Sequence, residues 1–300
     1  MNTLQKRKNQ FIYTCLVIPV ALLLLFVVYP ALDLVRMSFT NWDGLTKQQS
    51  FIGLSNFKTM IFHSPDLWLS LKNNFVYFFV HLCAIPIELM IAVMLNTKFR
   101  GAKFFRGMTF LPYIINGVAI AYAFSYFYSP VNGAFNAVLT TVGLKGAIHN
   151  WLSDEGIINY VLSSVSIWKY SGYHIIMFIA ALQSIPQDIM EAATVDGANA
   201  WQKFRAIQIP SIQLVIDFIL FDNVRGALQI FDIPFVMTNG GPGYSSSTFT
   251  LYTINMAFKY NNFGLAATMA VTIMVLIIIV YLIQSLLVNV VRKGGHSYES

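Results

Sequence analysis

The sequence predicts an all-α, polytopic membrane protein with six transmembrane helices, and three observations carry that prediction. Of the 300 residues, 56% are hydrophobic and only 11% charged, against roughly 25% charged in soluble domains. Mean hydropathy is +0.61. Six apolar runs, at 11–31, 75–95, 107–128, 157–182, 212–235 and 263–291, reach the about 17–25 residues a helix needs to cross a bilayer.

The first run follows Lys6, Arg7 and Lys8. It is too long for the apolar core of a secretory signal and has no small-x-small cleavage site, so it reads as a retained anchor. The second run carries Glu88, an isolated carboxylate that reads as packed against a polar neighbour rather than as a proton carrier. Cys15 and Cys83 lie inside apolar runs and argue against a disulfide framework. The fourth and fifth runs carry polar groups. The segments outside them read as a cytoplasmic tail at 1–10, a membrane domain at 11–291 and a second cytoplasmic tail at 292–300.

Basic residues give the orientation. With the N-terminus inside, eleven lysines and arginines fall on the inner segments, among them Lys98, Arg100, Lys103 and Arg106 before the third span. Six fall outside, and Lys169 and Arg225 lie within spans. The excess places both termini in the cytoplasm. The basic pI of 9.2 is then a topology signal rather than a nucleic-acid signal, because the charges are spread over several loops.

Between the fourth and fifth runs stands SIPQDIMEAATVDGANAWQKFRAIQIP, residues 184–210. Ser184 with Gln187 reads as a capping box and Pro186 as a first-turn residue. Gly197 reads as a left-handed stop, and a second short helix with Trp201 and Phe204 three apart ends at Pro210. By itself such a pair is also what a connector lying in the membrane interface looks like.

Polar groups inside the spans fall into two stripes. Ser166, Lys169, Tyr170 and Tyr173 follow i, i+3, i+4, i+7 spacing on the fourth run; Asp222, Arg225, Gly226 and Gln229 repeat it on the fifth, with Asn223 beside them. Charged groups at membrane depth cost at least about 2.5 kcal/mol each on insertion scales and face a bundle interior or a watery cavity. The stripes therefore predict a cavity where ligand hydroxyls meet donors and acceptors, with Trp168 or Tyr173 covering an apolar ring face. The alternative is that Asp222 and Arg225 pair along their own helix and the tyrosines only pack. Asp217 falls on a different face from Asp222. His174 reads as structural, since the five histidines lack metal-ligand spacing. TNGGPG, residues 238–243, reads as a tight turn.

No G-x-x-x-x-G-K-[ST] phosphate loop, G-x-G-x-x-G, H-E-x-x-H or G-x-S-x-G occurs, so the chain shows neither its own nucleotide site nor a hydrolase centre. No cofactor is expected in this chain.

Glu191, Ala192, Ala193, Gly197, Ile207, Ile209 and Pro210, at their spacing, resemble the EAA loop of binding-protein-dependent ABC importer permeases; Ile209 stands where that family usually has leucine. VDGA at 195–198, the TNGGPGYSSSTFTLYTINMAF stretch, FIGLSNF at 51–57 and GAFNAVL at 133–139 are similar to words of the carbohydrate-uptake members. Within that family the chain resembles the first of the two permease subunits of the maltose-transporter type, without the additional N-terminal spans and large outer domain. The resemblance implies the type I importer fold and a coupling helix pair, with Glu191, Ala192, Ala193, Asp196, Gly197 and Pro210 docking on an ATPase. It implies as partners a second permease subunit, two ATP-binding subunits that hold ATP and Mg, and an extracytoplasmic solute-binding protein. It also implies sugar contacts at Ser166, Lys169, Tyr170, Tyr173 and Asn223. The family's contacts at the positions of Ala227 and Ile230 are here apolar. Two rival expectations are an ion-coupled secondary transporter using Glu88, Asp217 and Asp222, and a membrane enzyme acting on lipid-linked sugars.

Overall fold

The computed structural model describes residues 3–97 and 99–296. Lys98 and residues 297–300 of the expected C-terminal tail lie outside the described residues. The chain is almost entirely helical; among the described residues, β pairing is limited to one isolated bridge between Thr40 and Phe51. It divides into two compact units, Met1–Ser64 with Thr253–Val275, and Pro65–Tyr252 with Leu276–Ser300.

In the first unit, α1 (Thr3–Leu23), a π-helical turn (Leu24–Val28) and α2 (Tyr29–Ser38) follow one another, and the helix is already under way inside the segment expected as a tail. The π turn lies directly before Pro30, which has no N–H to give, and Tyr29 N–H reaches back five residues to Leu24 O. A π turn absorbs a proline by shifting the register of the ladder rather than ending the helix. α3 (Ser55–Phe62) follows. The word FIGLSNF serves this local packing, since Asn56 donates to Ser38 O (3.0 Å) and Thr40 O (2.8 Å), satisfying carbonyls freed where α2 stops. Thr268 adds a third donor, to Ser38 O at 3.0 Å.

The second unit holds α4 (Pro65–Leu95), α5 (Ala102–Ile114), α6 (Gly117–Phe127), α7 (Ala134–Thr141) and α8 (Ile158–Gln183). There follow α9 (Gln187–Val195), α10 (Ala200–Lys203), a π turn (Phe204–Gln208), α11 (Ile209–Ser211), α12 (Gln213–Gln229) and α13 (Asp232–Thr238). α14 (Phe249–Phe258) and α15 (Phe263–His296) complete the chain.

Among the described residues, four helices are long and apolar enough to cross a membrane: Gln5–Ser38, Pro65–Leu95, Ile158–Gln183 and Phe263–Leu286. The third expected span is a bent pair, Ala102–Ile114 with Gly117–Phe127 at 95°, and a 70° bend at the head of the fifth separates Ala200–Ser211 from Gln213–Thr238, so six spans result if each pair counts once. Two sets of polar contacts hold the interruptions within these spans. At the first break Asn116 caps α6, accepting from Val118 N at 2.9 Å, and Lys169 Nζ donates to Ile115 O at 3.0 Å. In the fifth span a second interruption follows α12, where Ile230 is extended. Neighbouring side chains meet the freed carbonyls. Asn74 donates to Ala227 O at 2.5 Å, Thr250 to Leu228 O at 3.1 Å and Thr248 to Ile230 O at 2.8 Å. Irregular backbone at membrane depth is tolerated where neighbouring segments satisfy it in this way.

Two apolar clusters build the unit. One gathers Tyr77, Ile120, Ile158, Val165, Ala227 and Ile233; the other Ile85, Leu89, Ile175, Phe178, Ile212 and Ile219. Along α4, α8 and α12 alike, the stretch between the two clusters is polar: His81 on α4, Ser166 to His174 on α8, Asp222 and Asn223 on α12. That polar band positions the cavity. α5 and α8 meet at Gly172, where an added Cβ would stand 2.0 Å from Thr109 O.

Candidate functional site

A cavity of about 390 Å³ opens in the polar band. Of the expected stripe residues, Ser166, Tyr170 and Tyr173 from α8 and Asp222, Asn223 and Gln229 from α12 line it, together with Arg225 and Gly226. The apolar departures Ala227 and Ile230 are also in its wall.

Lys169 is not. Helical spacing places it on the stripe, but its side chain is buried and its ammonium is engaged by Ile115 O at the α5–α6 break. There the chain needs Gly117, whose added Cβ would collide with the Asp232 carboxylate and lie 3.3 Å from Lys169 Cε. Trp168, expected to cover a ring face, is half-exposed and packs edge-on against Phe124 instead.

The aromatic surface of the cavity comes from a pair that sequence spacing does not show. Tyr113 of α5 stacks on Tyr173 with ring centroids 4.9 Å apart and planes 14° apart, and meets Tyr170 edge-on at 6.4 Å. Such faces accept the C–H side of a ring while the phenol hydroxyls stay available for hydrogen bonds. α4 supplies a further wall, with Tyr77 and His81 one helical turn apart. His81 Nε2 lies 2.9 Å from Ser166 Oγ.

The expected pairing of Asp222 with Arg225 along α12 is present, at 2.6 Å, and it coexists with exposure of both groups to the cavity. Arg225 also donates to Gln229 Oε1 at 3.3 Å. Behind Asp222 a buried chain continues. His174 Nε2 is 3.8 Å from Asp222 Oδ2, and its Nδ1 is 2.9 Å from Glu88 Oε2. Ser171 donates to Glu88 Oε1 at 2.5 Å. Glu88 is thus packed against polar neighbours, and His174 ties α4, α8 and α12 together. A buried carboxylate is tolerated only with such partners. No group of three or more metal-ligating side chains occurs among the described residues. Asp217 is half-buried outside the lining, its carbonyl accepting from Gln284 at 2.6 Å.

The 184–210 segment forms a second feature. Glu191, Ala192, Asp196, Gly197 and Pro210 are exposed and Ala193 partly so. The expected capping box at Ser184 and Gln187 is absent: Pro186 occupies the N-cap, Ser184 Oγ bonds back to Ala181 O, and Gln187 donates to Glu191 at 2.6 Å. With Pro186 at the N-cap, Gln187 opens the helix instead of standing third in it, and it is no longer placed to reach back to Ser184. The capping box occurs instead in the second arm, between Asn199 and Gln202. Gly197 has φ +80°. Ala198 N–H reaches Ala193 O and Gly197 N–H reaches Thr194 O, a complete Schellman corner. Lys203 Nζ bridges back to Thr194 Oγ1 at 3.2 Å, tying the arms. Phe204 and Ile185 pack on the apolar core, while Val195 and Trp201 point outward at 88% and 66% exposure. Pro210 does not end the second arm. As at Pro30, a π turn precedes it, Ile209 N–H reaches Phe204 O, and the bend falls at Ile212.

A family model described as the binding-protein-dependent transport system inner membrane component matches residues 84–293. The lactose transport system permease protein LacF of Rhizobium radiobacter is 32% identical, over 88% of this chain and 89% of its own. The multiple sugar-binding transport system permease protein MsmF of Streptococcus mutans is 30% identical, over 94% and 97%. A solved structure of a bacterial ABC transporter involved in the import of the acidic polysaccharide alginate shares the fold, with a TM-score of 0.81 at 23% identity over 95% of this chain and 98% of that one. A matched stretch covering most of the chain, relatives spanning nearly all of it, and a shared fold lead to one assignment: the chain belongs to the binding-protein-dependent transport system inner membrane components, the permeases of ABC importers.

Proposed function

We propose that this permease is one of two in an ATP-driven importer for a sugar or oligosaccharide, lying in the cytoplasmic membrane with both termini inside. The observation that carries the proposal is a mid-bundle cavity walled by tyrosines, Asn223, Gln229 and the Asp222–Arg225 pair, in a chain whose relatives include permeases named for lactose and for multiple sugars. Its volume falls in the roughly 300–1,000 Å³ range of small-molecule sites. Hydroxyl-rich ligands match a lining of mixed donors and acceptors, and Tyr113 with Tyr173 offers the flat apolar face that one side of a pyranose presents.

Energy enters at the other feature. The Schellman corner and the Lys203–Thr194 contact make the 184–210 pair a stiff elbow with Glu191, Ala192, Ala193, Asp196 and Gly197 on its outer side. Its small residues let a partner approach closely, and Glu191 offers it a carboxylate. Two ATP-binding subunits would hold ATP and Mg, and their closure would push this elbow. Phe204 and Ile185, packed on the core beneath α12, would pass the push on. A solute-binding protein on the outer side would deliver the sugar, and the second permease would complete the path.

Reconstitution of the complete complex in vesicles tests the proposal. Labelled sugar accumulates only when ATP and both ATP-binding subunits are present, and an ionophore leaves uptake unchanged while ATP stays high. Uptake without those subunits refutes it.

A further inference from the structure

The charges on the cavity wall are already matched. Arg225 gives Nη2 and Nε to Asp222 Oδ1 at 2.6 and 3.0 Å, and its Nη1 goes to Gln229. The carboxylate of Asp232 is also in the lining. Lys169, which flanks Gly117 together with Asp232, sets its positive charge against that carboxylate from outside the lining while donating to Ile115 O. Among the described lining residues, the one side chain that is always cationic therefore has a carboxylate partner, and a second carboxylate stands on the wall. A ligand carboxylate entering here would give up its hydration, compete with Asp222 for Arg225 and face Asp232. Stripping a carboxylate of water without a free cation is strongly unfavourable.

Tyr77 supplies a second, independent observation. It is fully buried, it is among the residues that line the cavity, and its hydroxyl has no hydrogen-bond partner in the protein. A buried phenol without a partner is costly and points to a ligand oxygen as its complement.

We infer that the cavity selects an uncharged sugar over one bearing a carboxylate, and that Tyr77 Oη is a direct ligand of a sugar hydroxyl. The inference rests on the sugar-importer reading above. The test is uptake by the complete reconstituted complex of tritiated neutral disaccharides (maltose, lactose, cellobiose) and of uronate-bearing disaccharides such as digalacturonate. Neutral sugar is expected to enter and uronate to be excluded. Asp222→Asn, which removes the counter-charge of Arg225, is expected to raise uronate uptake relative to neutral uptake at least about tenfold, since a charge-assisted bond replaces a repulsion. Because the binding protein is unchanged between wild type and variant, that ratio reports on the cavity. Tyr77→Phe keeps the ring and is expected to raise the KM for the neutral sugar about 3- to 10-fold, the range of one uncharged hydrogen bond, with an unchanged yield of complex. Wild-type preference for uronate, or an unmoved ratio in Asp222→Asn, overturns the charge selection. An unmoved KM in Tyr77→Phe overturns the ligand role. Failure to take up any sugar, neutral or acidic, overturns the sugar-importer reading itself and this inference with it.

Discussion

Replacing Gly172 with alanine probes the close α5–α8 contact beside the cavity. The added Cβ would stand 2.0 Å from Thr109 O, 2.9 Å from Thr109 C and 3.1 Å from Phe110 Cα. These are backbone atoms, so no rotamer change relieves them. A carbon–oxygen contact settles at about 3.3 Å or more, so α5 has to retreat by roughly 1 Å. Overfilling a packed interior costs about 1–3 kcal/mol, and alanine in a helix gives back about 0.5–1 kcal/mol relative to glycine. The net expectation is a loss of about 0.5–2 kcal/mol. Tyr113, on the retreating helix, stacks on Tyr173, the neighbour of Gly172, so the KM for sugar should rise as well. Thermal unfolding of the purified complex and uptake kinetics read the two effects. Gly107→Ala, on the facing helix α5, is the control, because its added Cβ meets nothing within 4 Å. Wild-type stability and KM in Gly172→Ala, or equal behaviour of the two variants, would refute the reasoning.

Gly197→Pro forces φ near −65° where the corner has +80°; sugar-stimulated ATPase activity of the complex should vanish while the chain still inserts, and normal stimulation would count against the elbow. Lys169→Met leaves Ile115 O without its donor and should lower stability by about 1.5–3 kcal/mol, as for a hydrogen bond to a charged group; an unchanged denaturation midpoint sinks the capping role. His174→Ala strips Glu88 of the ring nitrogen 2.9 Å from its carboxylate and should cost about 3–5 kcal/mol, whereas Glu88→Gln, which removes the charge itself, should cost clearly less; the reverse order in a denaturation series contradicts the buried-chain description. Tyr173→Ala and Asn223→Ala should each reduce sugar transport with the complex intact, and uptake at wild-type rates in both would leave the cavity without a role.

Most of the fold was legible because lipid imposes a simple length rule on apolar runs, and the polar stripes were legible because helical spacing is regular. What the runs concealed were their interruptions. Asn116-Gly117 inside the third run is a turn dipeptide and a capping residue, and it marks the first break, but hydropathy averages over it. The α12 break has no such local mark, since its carbonyls are met by Asn74, Thr248 and Thr250 from other segments. Lys169 shows the same limit at the site: spacing gives the face of a residue, but a long side chain can leave that face for a distant carbonyl. Tyr77, His81 and Tyr113 escaped because they come from helices whose apolar character drew no attention to single hydroxyls or rings. In the 184–210 segment Gly197 is readable from its type alone, while the capping box lies one arm later than Ser184 and Gln187 suggest, because both arms carry a plausible pair of residues. Neither π turn was readable from composition, although in each case the proline itself was the signal.

Ala227, Leu228 and Ile230 rely on donors that leave the ribosome at different times. Asn74 is made long before them, but Thr248 and Thr250 come after. While the fifth span is emerging, two of its three helpers do not yet exist, and its kinked form would expose bare peptide oxygens to hydrocarbon. The nascent segment therefore enters the membrane either as an unkinked rod or in a wet vestibule, and takes up its final shape after the last portion of the polypeptide has been translated. At this one point, maturation runs against the order of synthesis.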